Sequence, residues 1–192
     1  MGLHDLLTKM LPKNKRFFSL FLAFGLLSCG QSVLAIQTSI IAPVEVHFAP
    51  YELITPFIVK EIKQATSTIH GSLYGITNKA VADALIERDR SGVEVKIGED
   101  KLQSAGKYDL HRYLSSNGVE VVIKKTSALE HNKWLIIDNQ VVLEGSFNYS
   151  NNAQSQDNSF IIFRSPQIAS LFEQNFLKIM ARDKYPVDPT IK

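Results

Sequence analysis

From residue 44 to residue 123 the chain alternates short β-branched runs with longer amphipathic stretches, then breaks that rhythm with two apolar runs joined by Asp138-Asn139. Period-two and helical patterns place strands near 44–48, 68–75, 93–98, 119–124 and 158–163, and helices near 54–65, 78–90, 105–116 and 167–181. Strands separated by helices pair in parallel through crossovers that cover the sheet faces. Lys133 to Ile137 and Val141 to Leu143, split by a tight turn, instead make an antiparallel hairpin over 131–144. The fold class that follows is α/β, a mixed β-sheet sandwiched between helices. Gly92 and Gly118 stand where helices should stop, each followed by a Val that opens a strand.

The hairpin also carries the chemistry. In extended chain residues i and i+2 share a face, so His131 and Lys133 are expected to point the same way. Beyond the second strand, the Gly145-Ser146 turn brings Ser146 and Asn148 to the same end. An imidazole can act as nucleophile or general acid near neutral pH. An ammonium, a hydroxyl and a carboxamide can hold non-bridging phosphate oxygens, and donors set around developing charge are a large catalytic contribution. Each residue taken singly fits a solvated strand face; the joint pattern outlines a phosphodiester-cleaving site.

With His131, Lys133, Asp138, Gly145, Ser146 and Asn148 in place, the chain resembles the phospholipase D superfamily, whose motif reads His-x-Lys, four residues, Asp, six residues, Gly-Ser-x-Asn. More closely it resembles the short bacterial nucleases of that superfamily that carry one motif per chain. The likeness extends through Val46 to Pro50, Ile69 to Val81 and Gly92 to Ile97, and covers roughly residues 44–181. The resemblance implies that His131 is a nucleophile forming a phosphohistidine, and that His131 of a second subunit protonates the leaving oxygen. Lys133 and Asn148 would hold the phosphate, with Ser146 a supporting donor, and Asp138 and Gly145 would serve the structure. Family members orient the histidine through an acid, usually the Glu of a Glu-Asn pair. Here Asp157-Asn158 takes that place after a shorter connection, so Asp157 is the expected orienting acid. No metal or other cofactor is implied, and the polar cluster lacks the grouped carboxylates of a Mg²⁺ site.

Residues 1–35 have the three-part layout of an export signal: basic Lys13 to Arg16, an apolar run from Phe17 to Leu27, and Val33-Leu34-Ala35. Cleavage after Ala35 would leave residues 36–192 as a single catalytic domain in the periplasm or outside the cell. The rival processing point precedes Cys29, the lone cysteine, which would then carry a lipid anchor. The leader holds four of the 21 Lys and Arg and one of the 19 Asp and Glu, so the remainder carries 17 against 18 and a net charge of −1. The excess of positive charge in the whole chain therefore says nothing about nucleic acid. What remains is local, a basic segment including Lys107, Arg112, Lys124 and Lys125 that would suit a polyanion.

A two-step displacement needs a nucleophile and an acid on opposite sides of phosphorus, which one histidine cannot supply. A homodimer with the site on its twofold axis is expected. His47, His70 and His111 are the other candidates for the acid; His70 reads as a packed sheet residue, His111 as a solvated helix residue, and His47 is the hardest to dismiss. The expected function is a secreted, metal-independent endonuclease of low sequence specificity that cuts DNA and RNA. The alternatives are a phospholipase D acting on phospholipid headgroups and a silent nucleic-acid-binding module. A lipase should expose apolar side chains around its site, for which Trp134 and Tyr149 are the candidates, and Tyr149 could instead stack on a base.

Overall fold

Seven strands form one mixed sheet in the order β1-β7-β6-β5-β2-β3-β4 in the computed structural model, which describes residues 40–124 and 129–182. In chain order these are β1 (Val44–Ala49), β2 (Thr68–Leu73), β3 (Glu94–Glu99), β4 (Glu120–Ile123), β5 (Lys133–Ile137), β6 (Val141–Gly145) and β7 (Asn158–Arg164). β2, β3 and β4 run parallel, while β5, β6, β7 and β1 extend the sheet in antiparallel pairs. The helices are α1 (Ile54–Gln64), α2 (Lys79–Arg90), α3 (Lys101–Ser104), α4 (His111–Ser116) and α5 (Pro166–Arg182). This is the α/β sandwich expected. The expected export signal over 1–35, with Cys29, and Lys125 lie outside the described residues. Among those residues no helix is long and apolar enough to cross a membrane.

Strand alternation divides the core in two. Ile69, Leu73, Leu135, Ile137, Leu143, Phe160 and Ile162 face a large cluster with Ile54, Ile58 and Ile62 of α1, Val81 and Leu85 of α2 and Leu114 of α4. Trp134, Ile136 and Val142 face the other way and pack on Ala169, Phe176 and Ile179 of α5. Trp134 is thus hairpin packing, set edge-on to Phe172 and Phe176. Burying one such large aromatic gains about 2–3 kcal/mol, enough to set which face of the hairpin lies against α5.

Local chemistry explains most boundaries. Asn78 caps α2 by accepting from the amides of Ala80 and Val81. α2 and α4 give way to chain at Gly92 (φ 93°) and Gly118 (φ 108°). The expected helix over 105–116 is a correction: residues 101–104 and 111–116 are helical and 105–110 are not. Asp100 caps α3 through Leu102 and Gln103, Gly106 ends it with a bond to Gln103 O, and Asp109 accepts from the His111 amide. Two carboxylate caps and a glycine divide what the apolar spacing joined. α1 has no side-chain cap of its own, and the free Ile54 amide donates to Gln154 Oε1 from a 3₁₀ turn (Asn152–Ser155) far along the chain.

Candidate active site

All of the motif but Asp138 collects at the carboxyl end of parallel strand β2, the end at which open α/β sheets hold their ligands. β5 begins at Lys133, so His131 stands just ahead of the strand and strand pleating alone does not orient it. What orients both is Tyr74, the residue after β2. The exposed His131 imidazole packs edge-on to the Tyr74 ring with centroids 4.7 Å apart. Lys133 Nζ lies 5.1 Å from the same centroid and donates to His131 O at 2.6 Å. Lys133 is only 8% exposed. Burial draws its ammonium below the usual range, against the opposing pull of the Glu130 carboxylate.

Tyr74 also begins a cleft of about 360 Å³, lined further by Gly75, Gln103, Lys107, Tyr108, Asp109 and Asn148. Gln103 Nε2 donates to Tyr74 Oη at 2.8 Å and fixes the ring. Asn148 Oδ1 is buried without a hydrogen-bond partner among the described residues. The loop bearing Asn148 is anchored by Tyr149, whose carbonyl accepts from the amides of Thr77 and Asn78. Tyr149 itself is 1% exposed, so it is a core residue and not a platform for a base. Burial raises its phenol above the ordinary range.

Gly145 has φ 151°, and a Cβ there would sit 2.3 Å from Ser159 O, so only glycine lets β6 close on β7 at this point. Ser146 continues the closure: its amide donates to Ser159 O, its hydroxyl donates to Asn158 Oδ1 at 3.0 Å and accepts from the Ser159 amide at 3.0 Å. The hydroxyl proton expected for a phosphate is therefore committed to the loop. Asp157 is exposed, and no hydrogen bond or ion pair joins it to His131 among the described residues.

Asp138 sits at the far end of β5, roughly 15 Å from the histidine end. It and Asn139 take φ of 52° and 50°, the two left-handed positions of a type I′ hairpin turn. Its carboxylate accepts from the amides of Thr66, Ser67 and Thr68 and from both hydroxyls, so it ties the hairpin tip to the chain entering β2. Burial opposes ionisation there, but these donors outweigh it and hold the carboxyl at about 2.

Sequence reasoning missed Tyr74 and the buried support ahead of His131. Lys124 is 6% exposed and bonds Glu130 Oε2 at 3.1 Å, so it is a buried ion pair and not part of a basic surface. Glu130 Oε1 accepts from the Asn132 amide, and the Glu130 amide donates to Asp100 Oδ2. Lys107 and Arg112 stay exposed. The other described histidines are engaged elsewhere. His47 bonds Glu52 and stacks on Phe57, and His70 bonds Glu173 and stacks on Phe176. His111, expected to be solvated, is buried beside Asp109, because the break at 105–110 turns it inward. The aromatic ring after β2 could have been noticed as the carboxyl end of a parallel strand; the Lys124-Glu130 pair has no local signal.

Residues 58–180 match the family described as cardiolipin synthase, PLD-like domain. The chain belongs to the phospholipase D superfamily. A phospholipase D from Rickettsia bellii is 32% identical over 137 residues, covering 71% of this chain and 68% of the relative. Among solved structures, Nuc of Salmonella typhimurium, a phospholipase D family member, superposes with a TM-score of 0.71 at 22% identity, covering 77% of this chain and 99% of that one. NucT from Helicobacter pylori follows with 0.68 at 19% identity, covering 74% and 98%. At those identities the two structures establish the shared fold. As a member of the superfamily the chain is a phosphodiesterase.

Proposed function

We propose that this phosphodiesterase is an exported endonuclease of low sequence specificity, cutting DNA and RNA as a homodimer without a catalytic metal. The observation that carries the reading is the placement of an exposed His131 and the Lys133 ammonium on one ring, that of Tyr74, which with Asn148 and Lys107 lines a cleft. In the proposed reaction His131 attacks phosphorus, the P–O bond to one nucleotide breaks, and His131 of the second subunit gives that oxygen its proton. Water, losing a proton to that second imidazole, then attacks the phosphohistidine and frees His131. Lys133 and the Asn148 carboxamide hold the non-bridging oxygens, and Ser146 keeps the Asn148 loop closed. The pairing of His47, His70 and His111 with carboxylates supports drawing the acid from a second subunit.

A phospholipid substrate is the second reading, favoured by one observation. Leu102, Tyr108 and Leu129 are exposed on the segments bordering the cleft and the motif. The Rickettsia bellii relative carries the name phospholipase D. The leader supports export, with release after Ala35 or tethering through Cys29.

The test is cleavage of plasmid DNA in EDTA by residues 36–192, beside His131→Ala and beside phosphatidylglycerol vesicles. Cutting by the unaltered protein and at least a thousandfold loss in the variant is expected. DNA cutting that survives His131→Ala would place the nucleophile elsewhere. Headgroup release without DNA cutting would establish the lipid reading, and neither activity would leave a binding module.

A further inference from the structure

Behind the Asp109 wall of the cleft, Glu99 ends β3, Asp109 lies between α3 and α4, and His111 opens α4. Each offers one ligand atom to a common space in which the three atoms lie within 4.8 Å of one another. His111 Nδ1 is 2.6 Å from Asp109 Oδ1. Glu99 is 0% exposed, and neither of its carboxylate oxygens has a hydrogen-bond partner among the described residues; nor has Asp109 Oδ2. Carboxylate oxygens taken out of water need a positive partner, whether a proton or a cation. Nothing in the phosphodiesterase chemistry uses these three side chains.

We infer that Glu99, Asp109 and His111 form a site for one divalent transition-metal ion of the Zn²⁺ or Mn²⁺ class, separate from His131. Atoms that share such an ion at about 2.0–2.3 Å stand about 3–4.6 Å apart, which is the range over which these three atoms are gathered. Two carboxylates with an imidazole favour this class over Mg²⁺ and Ca²⁺, which prefer oxygen alone. Metal ligation requires the carboxylates and the ligating imidazole nitrogen free of protons, so binding displaces any proton from those atoms. The ion ties the end of β3 to the 105–110 connection, whose Gly106, Lys107, Tyr108 and Asp109 line the cleft. It therefore braces the substrate wall and touches no reacting atom.

The full chain, stripped of metal, is titrated with Zn²⁺ and with Mn²⁺ by calorimetry, beside Glu99→Gln, His111→Asn and His131→Ala. One equivalent of either ion per chain, with at least tenfold weaker binding in both Glu99→Gln and His111→Asn and unchanged binding in His131→Ala, is expected. No saturable binding to the unaltered chain, or undiminished binding by either of the first two variants, overturns the site and means that the carboxyl groups share a proton. A measurement on the unaltered chain guards against variants that fail to fold: Mn²⁺ should broaden the amide resonances of Asp109 to His111 before those of Asn132 and Ser146, and the reverse order overturns the proposal. Because the readout is binding, its failure is separable from failure of the endonuclease reading.

Discussion

Asp138 shows how one side chain of the motif can serve the fold without meeting substrate. Its left-handed backbone shapes the hairpin turn while its carboxylate collects amides and hydroxyls from Thr66, Ser67 and Thr68. The folded carboxyl is held near 2 against an ordinary 3.8, so its stabilisation is present above about pH 4 and is lost as pH falls toward 2. Asp138→Asn keeps the turn and loses the charge; we expect it to destabilise by about 1–2 kcal/mol at neutral pH, after discounting for solvent screening, and to flatten the acid limb of a urea-unfolding series. An unchanged acid limb would assign the acid sensitivity to other carboxylates. At this scale His131, Lys133, Asp138 and Asn148 were legible because their offsets are set within a single hairpin. Tyr74 and Glu130 were not, because their partners come together only when β2, β4 and β5 are assembled.

Elements were legible wherever a periodic run met a local stop signal, as at Asn78 before α2 and the turn between β5 and β6. The stretch over 105–116 misled because its apolar spacing continues across Gly106 and Asp109, whereas the backbone bonds of those residues end one helix and cap another. α1 poses the opposite case, a helix whose start depends on distant chain. Gln154 accepts from the Ile54 amide at 3.0 Å and donates to Glu52 O at 2.7 Å. Gln154→Ala leaves that amide unpaired and should cost about 1 kcal/mol in chemical denaturation, with faster exchange of the Ile54 amide proton. No change in either would mean that water caps the helix equally well.

For the whole molecule, the question is how a chain with one motif would perform the proposed two-step displacement. The described histidines other than His131 are each held by a carboxylate, which favours a second copy as source of the acid. Light scattering of residues 36–192 should report a dimer. In co-expressed mixtures with His131→Ala, activity should fall as the square of the unaltered fraction, because a site needs both histidines; a linear fall with an active monomer would rule out the shared site. Fold class and the family motif around His131 were determined by the sequence alone, since strand-helix alternation and hairpin spacing are properties of consecutive residues. Only the tertiary structure decided that Lys124 is buried, that Ser146 spends its hydroxyl on β7, and that His111 meets Glu99 and Asp109. Each of those outcomes depends on which distant segments exclude water together, and burial is a property of the assembled sheet and helices, with no counterpart in the order of residues along the chain.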